Sequence, residues 1–368
     1  MKKAIIIVGV LLIAAAAIVF YFNSNNQKDG DLKEKIGQML IVGFRGTEVD
    51  ENSKIIQDIK KYNLGGIILF NYDVPSKSSV RNIEDPGQLK SLIQGLKDLG
   101  KDDLFIAVDA EGGVVNRLKF FPIPSAEEMG KGNVSETYAN ALMLAEELKD
   151  LGFNLNFAPV VDVNINPDNP VIGGLGRSFS EDPEIVCEHS QKFIEAMHAY
   201  GILTAIKHFP GHGSSRDDSH LNMVDITDTY EKETELFPYK KLIEDNNLDM
   251  IMTAHVMNRS IDEKYPATLS PLFLKNILRE ELGFNGVIVS DDMQMGAIAE
   301  NYGYAEAVIR AINSGCNILI LSNNNETYDE DIAGKTVEII EKAVEDGLIE
   351  KETIENSYEK IMLLKEKI

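Results

Sequence analysis

LTAIKHF, residues 203–209, is a short, largely apolar run that ends in Lys207 and His208. Its composition is that of a strand buried on both faces, with its polar residues gathered at the C-terminal end. Working outward, the same kind of run recurs as QMLIVGF (38–44), GGIILF (65–70), LFIAVD (104–109), FNLNFAPV (153–160), MIMTAH (250–255), GVIVSD (286–291) and CNILILS (316–322). Amphipathic helical stretches lie between most of them, among them ENSKIIQDIKKY, SETYANALMLAEELKDLG and SPLFLKNILREELG. The last two end in Gly, a helix-stop signal.

Roughly eight strand–helix units in about 290 residues predict an α/β chain folded as a TIM-type (β/α)8 barrel. A doubly wound open sheet gives the same alternation and is the alternative. No Gly-x-Gly-x-x-Gly turn or phosphate loop is recognisable. Residues 327–368 are charged and helical, and read as a last barrel helix followed by a packing helix. Residues 32–368 are therefore expected to form one catalytic barrel domain.

Ahead of it, Lys2 and Lys3 precede AIIIVGVLLIAAAAIVFYF, residues 4–22, a run long enough to span a bilayer. The Ala cluster is followed by bulky residues, a poor peptidase site, so residues 1–22 are expected to be an uncleaved anchor rather than a signal peptide. Residues 23–31 read as a polar tether. The leading lysines place the catalytic domain outside the cytoplasm, at the cell membrane, or secreted if the segment is cleaved.

The 368 residues are 44% hydrophobic, ample for a core, and carry a formal net charge of −23. Such a charge repels nucleic acid and other polyanions, so no nucleic-acid partner is expected. A neutral or cationic small substrate fits better. Cys187 and Cys316 lie far apart, without zinc-type spacing, and are expected to be buried, unpaired thiols.

In a barrel, chemistry collects at the C-terminal strand ends. There the sequence places Asp109 and Glu111, Asp162, Lys207 and His208, His255, and Asp291 with Asp292. Three readings compete. A metal site is disfavoured because Pro210 and Gly211 separate His208 from His212, so the pair cannot share a helix face. A structural reading has Lys207 neutralising Asp109 or Asp291. The third is attack on a glycosidic bond, which needs a carboxylate on one side of the anomeric carbon and a proton donor on the other. Asp291 is a rigidly placed carboxylate that a nearby Lys207 would keep ionised. In GHGSSRDDSH (211–220), Asp218 and His220 are two apart, and the carboxylate can orient the imidazole as a proton donor and acceptor. Gly211 and Gly213 are candidate hinges for a mobile loop over residues 210–229.

KHFPGHG, the following Asp-Ser-His, and VIVSDDM resemble family 3 of the glycoside hydrolases, in its β-N-acetylglucosaminidase branch. DAEGGVVNRL (109–118), FAPVVDVN (157–164), NPDNPVIGGLGRSF (166–179), MTAHV (252–256) and PATLS (266–270) match in order, over about residues 35–368. The resemblance implies a TIM-type barrel and a retaining, two-step mechanism without a metal or organic cofactor. It makes Asp291 the nucleophile and His220 the general acid/base, paired with Asp218. Asp109, Arg117, Arg177, Lys207 and His208 would hold the sugar. The implied substrates are β-linked N-acetylglucosamine saccharides, cell-wall fragments among them. The in-loop Asp218/His220 pair, without the extra C-terminal domain of the family's β-glucosidases, favours a hexosaminidase. A glucosidase, a phosphorylase on the same scaffold, and a metal-dependent hydrolase are the alternatives. This sequence departs from the family pattern at Ser214-Ser215, at Val114, and between Ile172 and Arg177, where it carries extra residues.

Overall fold

The computed structural model describes residues 32–218 and 223–368. Its centre is a closed barrel of eight parallel strands: β1 (Leu40–Gly43), β2 (Gly66–Ile68), β3 (Phe105–Val108), β4 (Leu155–Asn156), β5 (Leu203–Phe209), β6 (Met250–Thr253), β7 (Val287–Asp292) and β8 (Ile318–Leu321). Each coincides with one of the eight apolar runs of the sequence, β7 extending one residue past its run to Asp292. Closure comes from β1, which pairs with β2 (Ile41 opposite Gly66) and with β8 (Leu40 opposite Leu319). The open doubly wound sheet is thereby excluded. β5 is buried at every position, as a strand with helices outside and barrel core inside must be.

The outer helices include α1 (Lys54–Tyr62), α2 (Pro86–Leu99), α3 (Val134–Leu151), α4 (Pro183–Ala199), α5 (Lys232–Glu244), α6 (Tyr304–Ser314), α7 (Ile332–Glu345) and α8 (Lys351–Lys365). A π-helical segment, Leu272–Glu281, fills the position between β6 and β7. Local chemistry sets the helix limits. Asp85 caps α2 by accepting from the Gly87 and Gln88 amides, with Pro86 at the first helical position. Asn133 caps α3 in the same way, and Gly152 ends it at φ 99°, a left-handed conformation that a side chain disfavours. α7 and α8 are the barrel and packing helices expected of the tail.

Among the described residues no helix is long and apolar enough to cross a membrane. The expected anchor, residues 4–22, and the tether, residues 23–31, lie outside the described residues. Cys316 is buried, but Cys187 is only half-buried, and both are free thiols.

The N-terminal end of the barrel is plugged by the C-terminal helix. Lys365 of α8 donates from Nζ to the Gly65 carbonyl at 2.9 Å and lies 4.9 Å from the centre of the Phe105 ring. Burial pushes its ammonium down to about 7. Since the unfolded-state value is higher, the unfolded chain binds more protons between about pH 7 and 10.4, and stability rises with pH across that window. The Tm of Lys365→Met minus that of the wild type should therefore fall from pH 7 to pH 9.5 in thermal unfolding. A constant difference would show that Lys365 is not titrating in the fold.

Candidate active site

The C-terminal strand ends surround a cavity of about 350 Å³, lined among others by Asp109, Arg117, Arg177, Lys207, His208 and Asp291. Six residues singled out from the sequence thus converge on one space. Asp218 is half-buried on the loop after β5 and is not among the lining residues. His220 lies outside the described residues.

The cavity floor is a network of buried charges. The Glu111 carboxylate receives Arg177 as a fork, Nε to Oε2 at 2.8 Å and Nη2 to Oε1 at 2.7 Å. Lys207 Nζ lies 2.7 Å from Glu111 Oε1 and donates to Asp109 Oδ1 at 2.9 Å. Arg117 Nη2 stands 3.6 Å from Asp109 Oδ2. Burial is the largest influence on Asp109, Glu111, Lys207 and Arg177 and disfavours every charged form, but the pairings outweigh it. Lys207 and Arg117 hold the Asp109 carboxyl below the usual carboxylate range. Arg177 and Lys207 hold Glu111 far below it, and the two carboxylates in turn raise Lys207.

This corrects one expectation. Lys207 was expected to keep Asp291 ionised, yet its ammonium is committed to Asp109 and Glu111, the two carboxylates that follow β3. Arg177 reaches the floor despite the extra residues before it. Gly173–Leu175 take up a 3-10 turn, and Arg177 Nη1 donates back to the Val171 carbonyl at 2.9 Å.

Asp162, after β4, organises the histidines. Its carboxylate accepts from His208 Nδ1 at 2.7 Å and from the backbone amides of His208 (3.2 Å) and His212 (2.9 Å). Burial opposes its charge, but His208 outweighs that and lowers the Asp162 value. His208 Nε2 is left facing Arg177 Nη2 at 3.3 Å, as acceptor. His212 Nδ1 meets Ser215 Oγ at 2.8 Å, and burial pushes this imidazole down to about 4. Among the described residues no group of three or more His, Cys, Asp or Glu side chains is arranged to hold a metal ion.

The loop after β5 begins as packed structure. A Cβ on Gly213 would lie 1.7 Å from the Val163 carbonyl oxygen, and one on Gly211 (φ 129°) would lie 2.5 Å from Glu235 Oε2. Both glycines are therefore sites of close approach, which corrects their reading as hinges. Asn169 Nδ2 donates to the His212 carbonyl (2.7 Å) and to Ser215 Oγ (2.9 Å), and Ser214 Oγ donates to Glu235 Oε1 at 2.6 Å. Asp218 thus follows a segment anchored through Ser215.

At the end of β7, Asp291 Oδ1 accepts the Asp292 amide at 2.8 Å. The Asp292 side chain, which also lines the cavity, is held by Ser322 Oγ (2.6 Å), Asn325 Nδ2 (2.6 Å) and the Ser322 amide (3.0 Å). His255, at the end of β6, is fully buried. Its Nε2 donates to the Asp292 carbonyl at 2.9 Å, and its Nδ1 lies 2.8 Å from Thr268 Oγ1. It braces the β7 end and does not line the cavity.

A family model described as the glycosyl hydrolase family 3 N-terminal domain matches residues 31–364. The chain belongs to family 3 of the glycosyl hydrolases. Among its relatives, the beta-hexosaminidase of Tolumonas auensis is 38% identical over 292 residues, covering 77% of this chain and 83% of that one. A family 3 beta-N-acetylglucosaminidase structure from Paenibacillus sp. FPU-7 superposes with a TM-score of 0.81 at 32% identity. It covers 91% of this chain, which spans 62% of that structure's length. A beta-N-acetylhexosaminidase structure from Beutenbergia cavernae, 27% identical with a TM-score of 0.78, covers 91% of this chain and 98% of its own.

For this family 3 glycosidase, sequence reasoning noted Glu111, Asp162 and Asp292 at strand ends but gave none of them a place in the site. Their acidic character at those ends was the available signal. What it lacked was the choice of partner: Glu111 for Lys207 and Arg177, Asp162 for His208.

Removing Glu111 leaves two buried cations with one carboxylate. Glu111→Ala should lower the free energy of urea unfolding by about 3–5 kcal/mol; a loss below about 1 kcal/mol would show the network to be dispensable. Glu235 gives a pH test. Burial pushes its carboxyl up to about 8, above the ordinary 4.5. The folded state therefore holds the extra proton between those values, and stability falls as pH rises through them. The stability of Glu235→Gln relative to wild type should grow from pH 5 to pH 8.5; a flat difference would contradict the assignment.

Proposed function

We propose that the protein is a retaining exo-β-N-acetylhexosaminidase that removes terminal β-linked N-acetylglucosamine, with peptidoglycan-type cell-wall fragments as its substrates. The reading is carried by one observation: Asp291, at the end of a buried strand, lines the same cavity as the ion-paired floor of Asp109, Glu111, Lys207 and Arg177. The names of the relatives support the sugar it takes.

In this reading the sugar hydroxyls bind to Asp109, Arg117, Arg177, Lys207 and His208, whose donors and acceptors are fixed before substrate arrives. The Asp291 carboxylate attacks the anomeric carbon to form a glycosyl ester. The glycosidic oxygen leaves with a proton from His220, held by Asp218. Water then gives a proton back to His220 and its oxygen to the anomeric carbon, freeing Asp291. The scheme uses no metal or organic cofactor. Residues 4–22 are proposed to tether the catalytic domain on the outer side of the cell membrane, with release by cleavage as the variant.

The wild type should turn over a chromogenic β-N-acetylglucosaminide in preference to the β-glucoside, equally with and without a chelator. Preference for the glucoside, or loss with chelator, would overturn the reading. Asp291→Ala should reduce kcat by at least ~10³-fold. His220→Ala should slow a natural disaccharide by ~10²-fold or more, but an aryl glycoside with a good leaving group far less. Equal loss on both would remove His220 from the acid role.

A further inference from the structure

The cavity changes character with depth. Its floor side chains are nearly closed off, with Lys207, Glu111 and Arg177 exposed by 3%, 4% and 9%. Its lining also includes Tyr72, Val74 and Leu175, exposed by 42%, 44% and 39%. Large apolar groups are thus held at the mouth, above a polar, charged base. Leu175 comes from the 3-10 turn before Arg177, and the other two from the long connection between β2 and α2.

That connection is rigidly built. The buried Asp73 carboxylate takes Arg45 at 2.9 Å and, further, Arg81 and Ser76 Oγ. Arg81 Nη2 also donates to the Asn323 carbonyl at 2.8 Å. The Asn324 side chain brackets Asp73 from both sides, donating to the Tyr72 carbonyl at 2.9 Å and accepting the Val74 amide at 2.9 Å. A buried aspartate, two arginines and the segment after β8 therefore fix the residues on either side of Asp73. Burying charge in this way is costly, and what it sets in place is a phenol ring and an isopropyl group at the cavity mouth. An isolated exposed apolar residue needs no explanation, but three converging on the rim of a site do.

We propose that Tyr72, Val74 and Leu175 form a subsite for the leaving group, recognising an aglycone by a flat apolar face: the face of a second pyranose ring or an aryl ring. The inference rests on the glycosidase reading above and adds to it the feature that selects what is attached to the cleaved sugar. When the terminal sugar occupies the charged base, the departing group lies at the mouth. There an aromatic platform contributes mostly through contact with C–H faces, and hydroxyls at the ring edge stay in water.

The test compares full-length wild type, Tyr72→Ala and Tyr72→Phe on three donors of β-linked N-acetylglucosamine: the β-1,4-linked disaccharide, the 4-nitrophenyl glycoside and the glycosyl fluoride. The fluoride has no ring to place at the mouth. Tyr72→Ala should lower kcat/KM on the disaccharide at least tenfold, mainly through KM, while the fluoride changes less than twofold. Tyr72→Phe should restore most of the loss. A loss shared by the nitrophenyl glycoside assigns the platform to any flat apolar aglycone; a loss confined to the disaccharide assigns it to a pyranose. Equal loss on disaccharide and fluoride, or no loss on either, would overturn the subsite. Failure of the wild type to turn over any of the three would instead bring down the glycosidase reading, and the subsite with it.

Discussion

Two carboxylates and two cations are largely withdrawn from water at the base of the cavity, and none of them is tolerable there alone. Glu111 sits between Lys207 and Arg177, and Asp109 shares Lys207 and faces Arg117. Glu111, Lys207 and Arg177 meet from three separate segments: the connection after β3, β5, and the stretch that follows the 3-10 turn. The barrel has to close for the charges to meet. The site is consequently organised before any ligand arrives, with donors and acceptors oriented by their mutual pairing rather than by substrate.

The same economy of orientation extends outward. Asp162 fixes the face that His208 turns to Arg177 and ties down the His212 amide. Asn169 and Glu235 then hold the following loop through Ser215 and Ser214. On the opposite side, His255, Ser322 and Asn325 hold Asp292, and both it and its neighbour Asp291 line the cavity. Two adjacent aspartates on one strand end have different surroundings. Burial raises Asp292 above the ordinary carboxylate value.

The barrel was legible because parallel strands covered on both faces leave apolar runs, and all eight runs became barrel strands. The site was legible wherever a polar residue ended such a run, as with Asp109, Lys207, His208 and Asp291. Partner choice was not. Lys207 has acids at several neighbouring strand ends, and only the three-dimensional path of the chain after β3 gives it Asp109 and Glu111 rather than Asp291. Gly213 was equally opaque: a glycine needed for close approach to Val163 and a glycine needed for bending look the same in a sequence. The rim was hidden for a similar reason, since the pairing of Asp73 with Arg45 and Arg81 spans separate segments that no local pattern connects.

The central claim is that the charged floor holds the terminal sugar so that its anomeric carbon meets Asp291. The most direct measurement is a crystal structure of the protein inactivated with a fluorinated N-acetylglucosamine analogue that traps the glycosyl ester. The account predicts a covalent bond to an Asp291 carboxylate oxygen, with sugar hydroxyls in hydrogen-bond contact with Asp109, Lys207 and Arg177. An ester on Asp292, or a sugar bound to Asp291 but turned away from the charged floor, would contradict it.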